Sequence, residues 1–344
     1  MTTRIQRAAK LIGLILLGLL MLGIAGWGVL ALLYWDHANP ALRNGLALAF
    51  AAASVLALVG LVLRRWRKRA VGGFFALFAL LLVCWFNLEP SNARVWQPDN
   101  AVLTYATFEG DRVTLHNIRN ADYRSETDYT LAYYDRTFNL SELDSVDLAA
   151  VYWMGPAIAH VFVSFGFADG HHLAISIEAR KEKGEGYSTV QGFFRQYELY
   201  YVVADERDVI RLRTNYRHDP PEEVYLYRVR STAENRQRFF LEYLRKINAL
   251  KEHAEFYNSL TTNCTSNIWL HSRVNPGHLP YSWKILLSGH VPEYLYENGL
   301  LDTSLPLEEL RQHSHVNERA HAADQAEDFS QRIRAVTGDT SHAP

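Results

Sequence analysis

Three long runs without a charged side chain crowd the first quarter of this chain, and they dictate a membrane before anything else is read. Leu11 to Trp35 contains no Asp, Glu, Lys or Arg, and at about 1.5 Å per helical residue it covers a hydrocarbon core of roughly 30 Å. Gly45 to Leu63 is a second such run. Val71 to Phe86 is a third and shorter one, ending in Trp85-Phe86 and then Glu89-Pro90, an aromatic interface anchor followed by a helix stop. The first run is too long for the apolar segment of a cleaved signal peptide, and two more follow it. Spans at 11–35, 45–63 and 71–86 therefore make a three-helix transmembrane anchor of residues 1–86.

Charge sets the orientation. Arg4, Arg7 and Lys10 precede the first span, and Arg64, Arg65, Arg67, Lys68 and Arg69 separate the second from the third, whereas the loop from Asp36 to Asn44 holds only Arg43. Positive loops stay in the cytoplasm. The N-terminus is thus expected inside and everything after Phe86 outside, in the periplasm of a bacterium whose inner membrane carries the anchor. The net charge of −2 hides a contrast: nine basic residues and one acid through Phe86 leave 26 basic and 36 acidic residues after it. An acidic body without a basic stripe excludes nucleic acid as the natural partner, because phosphate contacts need concentrated Lys and Arg.

That placement sharpens the meaning of the two cysteines. Cys84 lies inside the third span and Cys264 far along the soluble part, which therefore holds one thiol and no internal disulfide. In an oxidising compartment such a thiol is either buried filler or a reactive group.

The residues after Phe86 are enough for one sizeable core, and their pattern predicts an α+β domain over 87–310. Arg112–Ile118 alternates as a strand; His160–Phe167 and His172–Ala179 flank Ala168-Asp169-Gly170 as a hairpin; Glu198–Val203, Val209–Arg213 and Glu223–Val229 continue the β character. The period then changes. Ser231 and Glu234 form a capping box ahead of Phe239, Phe240, Tyr243, Leu244, Ile247 and Leu250, predicting a helix from Thr232 to Glu252. A shorter helix should begin near Cys264, with Thr261, Thr262 and Asn263 as candidate caps. Asn275–Leu305 reads as loops with short helices, and 311–344 as a polar tail with one possible helix ending near Arg334 and a disordered end.

Chemistry, if present, centres on Cys264. A sulfur at a helix N-terminus meets free N–H groups and the positive end of the dipole, which favour the thiolate; the alternative is a small apolar residue buried on that helix. A thiol nucleophile needs a base and the base an orienting group. His160 opens the hairpin beside the uncharged Gly155-Pro-Ala-Ile-Ala159, unlike His313 and His315 in the tail. Hairpin register then picks a third residue. A two-residue turn makes paired positions sum to 339 and sets His160 against Ala179, whereas a three-residue loop makes them sum to 338 and sets His160, Phe162 and Ser164 against Glu178, Ser176 and Ala174. The second register separates apolar from polar positions better, and it puts the Glu178 and His160 Cβ atoms roughly 5 Å apart. Glu178 could instead pair with Arg180 or Lys181 on the surface. Metal chemistry finds little support, since His171 and His172 are adjacent at a turn and not at ligand spacing.

The segments His160-Val-Phe-Val-Ser-Phe-Gly-Phe167, Ile175-Ser-Ile-Glu-Ala-Arg180, Phe194-Arg-Gln-Tyr-Glu198, Ala204-Asp-Glu-Arg-Asp208 and Asn263-Cys-Thr265 resemble a bacterial family of extracytoplasmic domains typified by the periplasmic domain of Lnb-type lipoprotein N-acyltransferases. The likeness runs from about Trp96 to about Leu310. The order of a histidine on a strand, a polar residue on the next strand and Asn-Cys at a helix start is also similar to the permuted papain-like thiol enzymes that include lecithin:retinol acyltransferases. This resemblance implies a permuted papain-like (NlpC-type) fold, Cys264 as nucleophile and His160 as base, with Glu178 the less secure third member.

It further implies acyl transfer through a thioester, with no cofactor. The acyl donor would be a phospholipid or lipoprotein of the membrane and the acceptor an amine or water; Asn263 or backbone N–H groups would hold the oxyanion. Arg119, Asp122 and Tyr123 in the polar stretch Arg119–Arg124, together with Arg180, are candidates for head-group or acceptor contacts. Two rivals remain open at this level. One is a cysteine peptidase or amidase acting on cell-wall peptide, which would want an open polar groove beside Cys264. The other is a non-catalytic membrane-anchored binding or assembly module, with Cys264 buried and His160 far from it.

Overall fold

A computed structural model describes residues 2–35 and 39–335. The tail end at 336–344, expected to be disordered, lies outside the described residues. The chain divides into two compact units, residues 1–90 with 188–196, and residues 91–187 with 197–344.

The first unit holds three helices, α1 (Thr2–Leu33), α2 (Pro40–Val62) and α3 (Arg67–Phe86). All three are long and apolar enough to cross a membrane. Small residues let them approach: a Cβ on Gly28 would sit 2.5 Å from the Phe50 ring, and one on Gly60 2.5 Å from the Ala70 Cβ, the close packing that apolar surroundings otherwise do nothing to drive. Residues 188–196 belong to this unit although they follow it by a hundred positions. Phe194 packs among the rings of Trp27, Tyr34 and Trp85, and the Arg195 guanidinium donates to Trp85 O at 2.8 Å while lying over the Trp85 ring.

The second unit is built on strands β1 (Tyr105–Glu109), β2 (Arg112–Arg119), β3 (Asp122–Tyr123), β4 (Tyr129–Thr130), β5 (Tyr133–Asn139), β6 (Leu143–Tyr152), β7 (His160–Phe167), β8 (His172–Arg180), β9 (Glu198–Asp205) and β10 (Glu223–Arg228). Eight of them form one sheet in the order β1-β2-β9-β8-β7-β6-β10, with β5 also on β2; every pair is antiparallel except β2 with β9. The remaining pair, β3 and β4, is a small ribbon. The helices that follow are α4 (Glu206–Arg211), α5 (Ala233–Glu252), α6 (Cys264–Ser272), α7 (Trp283–Leu286), α8 (Val291–Glu297), α9 (Leu307–Ser314), α10 (Asn317–Ala322) and α11 (Phe329–Arg332).

Both faces of the sheet are covered, which is why β7 and β8 read as near-continuous apolar runs. Val161, Val163, Phe165, Leu173, Ile175 and Ile177 face one core, closed by Phe240, Tyr243, Leu244 and Ile247 of α5 and by Cys264. Phe162 and Ala174 face the other, closed by Val209 and Ile210 of α4 and by Val316, Ala320 and Phe329 from the C-terminal helices.

Three expectations change. Val209–Arg213 is not a strand: Asp205 sits at the N-cap position, Glu206 and Asp208 fill the first turn of α4, and Val209 and Ile210 bury against the sheet from a helix. The cap of α5 is Thr232, accepting from Asn235 N, one residue beyond Ser231. The segment from Arg311 is part of the fold as far as it is described, because Val316, Ala320, Phe329 and Ile333 are almost wholly buried in a stretch whose polar composition conceals their spacing.

Arg334 fastens that C-terminal cover. It donates to Asp147 at 2.7 Å and to Glu206 at 2.7 Å, and both carboxylates are nearly inaccessible to water. Burial pushes the Glu206 carboxyl up, but the Arg334 charge and hydrogen bond outweigh it and hold it down at about 2. Removing one partner strands buried charge, so Arg334→Ala should lose about 3 to 5 kcal/mol, read as a fall in the melting temperature of the full chain at neutral pH.

Candidate active site

The hairpin positions the first half of the site. Val163 pairs with Ile175, Ser164 with Ala174 and Phe165 with Leu173, the register of a three-residue loop in which Gly170 takes the left-handed conformation at φ 82° that glycine adopts freely. His160 therefore shares a face with Ser176 and Glu178. Its own approach is fixed by the preceding loop: Ala159 N donates to the Ser288 hydroxyl at 3.0 Å, and Gly289 N donates to Ala157 O at 3.1 Å. A Cβ at Gly289 would stand 2.0 Å from Pro156 O, so only glycine permits this crossing.

The second half comes from α6. Asn263 caps it, its Oδ1 accepting from Ser266 N at 2.9 Å and from the Thr265 hydroxyl at 3.1 Å, and its amide donates to Ser259 O at 2.9 Å. Cys264 is thereby the first helical residue, where N–H groups lack partners within the helix. Cys264 is 9% exposed, and His160 and the backbone N–H groups of Val161 and Thr265 are the groups that act on its thiol.

Hydrogen-bond bookkeeping then sets the tautomer. His160 Nε2 lies 2.7 Å from the Ser176 hydroxyl, which donates to Glu178 Oε1 at 2.8 Å; Nε2 is 3.6 Å from that same oxygen. An ionised carboxylate only accepts, so the serine proton points at Glu178 and the serine lone pair accepts from Nε2–H. Nδ1 is left for the sulfur. Glu178 is further held by Arg213 at 2.9 Å, and Arg213 also reaches Glu222 at 3.3 Å.

The electrostatics agree with that chain. Burial pushes the Cys264 thiol up, but the hydrogen bond and charge of His160 and the two backbone N–H groups bring it below its ordinary value. Burial and the Arg213 charge depress His160, yet the neighbouring Cys264 and Glu178 leave it raised. Burial would raise Glu178, but the nearby His160 and the Arg213 charge hold it well below the usual carboxylate range. Opposite shifts on a thiol and an imidazole in contact favour thiolate and imidazolium together.

Beside the site lies an apolar cavity of ≈ 180 Å³ between β6, β7 and helices α5, α6 and α8. Leu148, Val163, Phe239, Ile268 and Trp269 line it, and so does Thr265, the neighbour of Cys264. Among the described residues no group of three or more His, Cys, Asp or Glu side chains is arranged to hold a metal ion.

Other candidates serve elsewhere. Arg119 makes a bidentate pair with Asp208 at 2.8 and 2.7 Å, and Tyr123 donates to Asp208 at 3.2 Å. Asp122 accepts from Arg211 at 2.7 Å. Arg180 donates to Asn100 O, Ala101 O and Asn92 Oδ1, with its guanidinium 4.0 Å over the Trp96 ring, and desolvation lowers it to about 10. Arg119, Asp122 and Tyr123 tie β2 and the β3–β4 ribbon to α4, Arg180 holds the segment before β1 to the sheet, and none of these hydrogen bonds reaches the Cys264 cluster. Asn263 serves the turn that presents Cys264. Ser176 and Arg213 are the residues that sequence reasoning passed over: the register already put Ser176 on the His160 face, whereas Arg213 was read into a strand that does not form.

Residues 129–289, which carry Cys264, His160, Ser176, Glu178 and Arg213, match the family model of the Lnb N-terminal periplasmic domain. No curated protein and no solved structure matches the chain. Through that stretch the chain is similar to the Lnb N-terminal periplasmic domain family.

Proposed function

We propose that this protein is a membrane-anchored periplasmic thiol acyltransferase or acyl hydrolase that works on lipid or lipoprotein acyl groups through a thioester on Cys264. The observation that carries the reading is a thiol at the start of α6 whose electrostatics are set by His160, while the Nε2 of that histidine is engaged by Ser176, itself bonded to Glu178. The Cys264 thiolate attacks the ester carbonyl and the backbone N–H groups at the start of α6 hold the oxyanion. As the carbon–oxygen bond breaks, His160 gives its Nδ1 proton to the departing alkoxide, leaving an alcohol and a thioester. An amine or water then attacks, His160 takes its proton, and the thiolate departs.

The apolar cavity against Thr265 and Ile268 favours an acyl chain over cell-wall peptide, which would call for polar partners. A histidine on a sheet strand and a cysteine at the start of a helix packed on that sheet support a permuted papain-like architecture. The anchor contributes by confinement, since a substrate in the same bilayer is met at high effective concentration. The basic loops favour a cytoplasmic N-terminus in the inner membrane, and a reporter fused after Pro344 should accordingly work only if it functions in the periplasm.

At neutral pH Cys264 should react with iodoacetamide faster than free cysteine does, and His160→Ala should slow it to the free rate or below. Equal rates in the two proteins would remove the ion pair.

Glu178→Gln should lower turnover by about 10²- to 10⁴-fold with little change in melting temperature, because Arg213 keeps Glu222. Glu178 helps to raise His160, so the alkaline limb of the variant's pH–rate profile should move to lower pH. An unmoved limb would make Glu178 a structural ion-pair partner only.

A further inference from the structure

The rim of the site is apolar and exposed, and the two segments that form it contain no Asp or Glu. Met154 to Ile158, the loop between β6 and β7, is five exposed residues in succession without a polar side chain, with Met154 at 66% exposure. Against it lies the segment around α7, where Tyr281, Trp283, Leu286 and Leu287 are all exposed and Trp283 stands at 58%. The two are one surface, stitched by Gly289 N to Ala157 O, by Ala159 N to Ser288 and by Tyr152 OH to Gly289 O at 2.7 Å. They also bracket the chemistry: the loop leads into His160, and the Thr265 hydroxyl donates to Ile285 O at 2.7 Å.

We propose that the loop 154–158 and the exposed side of α7 form a docking surface that enters the headgroup region of the lipid bilayer and sets the mouth of the Cys264 site against it. Three features choose lipid over a protein partner. The chain carries three helices long and apolar enough to cross a membrane, and only four residues, 87–90, separate the last of them from the second unit, so a bilayer is an apolar partner within reach. Charge agrees, because the chain after Phe86 is strongly acidic, yet segments 153–160 and 279–289 contain no Asp or Glu, leaving a face that an anionic phosphate layer does not repel. Apart from His160 in the site itself, their one formal charge is Lys284, held by Glu293 at 3.2 Å and by Glu297 at 2.6 Å. Composition is the third: Trp and Tyr beside aliphatic residues suit the boundary between headgroups and acyl chains, and an exposed patch of this kind marks an interaction site. The surface stands on the rim alone and does not depend on the reaction at Cys264.

The test uses the full chain in vesicles of phosphatidylethanolamine and phosphatidylglycerol, with Cys84→Ser and Cys264→Ser, and a fluorophore attached through Met154→Cys. A reference protein carries the fluorophore through Glu109→Cys at the exposed end of β1. Nitroxide-bearing lipid should quench the label at 154 and not the one at 109, and aqueous iodide should do the reverse. Adding Trp283→Glu should abolish lipid quenching at 154 without moving the melting temperature. Iodide quenching of equal strength at the two positions would overturn the docking surface. Lipid quenching at 154 in a protein whose native-cysteine form is inactive on every acyl ester would sustain the surface while sinking the proposed reaction.

Discussion

The register of one hairpin decides what this domain can do. With a three-residue loop at Ala168-Asp169-Gly170, β7 and β8 align so that Val163 meets Ile175 and Phe165 meets Leu173 in one core, and His160 comes to lie within reach of Ser176 and Glu178. A slip of one residue would turn every side chain of β8 to the opposite face. Apolar burial on both sides of the sheet resists that slip, so the polar relay is held in place by residues that take no part in it. The helix cap at Asn263 does the complementary work from the other side, ending a loop where the sulfur must stand.

A second theme is arginine used as a fastener. Arg119 on Asp208, Arg334 on Asp147 and Glu206, and Arg213 on Glu178 and Glu222 all place a guanidinium between a sheet strand and a segment outside the sheet. The guanidinium suits this because its planar fork satisfies several acceptors at once and keeps its charge when desolvated. An acidic domain thus carries much of its charge inward as paired carboxylates. Glu178 belongs to the same system, and its contact with His160 connects the fastening network to the thiol.

Much of this was legible in the amino-acid sequence, and the exceptions share a cause. The spans, the hairpin register and the helix starting at Cys264 rest on local signals: charge-free length, a glycine in a three-residue loop and a cap residue. Val209–Arg213 looked like a strand because five residues with three apolar side chains carry no period, and the deciding facts, the carboxylates of Glu206 and Asp208 at a helix start, lie upstream. The C-terminal helices were obscured because their buried residues are few and separated by His, Glu and Gln. Arg119 and Arg180 looked like ligand contacts for a related reason: in sequence an arginine's partner is invisible when it is 89 positions away, as Asp208 is from Arg119. Ser176 was readable on the right face and was overlooked because a longer acid stood two residues further on.

The excursion of residues 188–196 bears on any attempt to work with the sheet alone. Phe194 and Arg195 are bound to Trp27, Tyr34 and Trp85, so a protein trimmed to begin near Ser91 would keep a nine-residue insert whose companions had been removed. An apolar ring and a guanidinium would then face solvent between β8, a strand of the hairpin, and its neighbour β9. A water-soluble version of the domain needs that insert replaced by a short polar turn, and the purification behaviour of a version cut only at the N-terminal side would report on this loop before it reported on the chemistry.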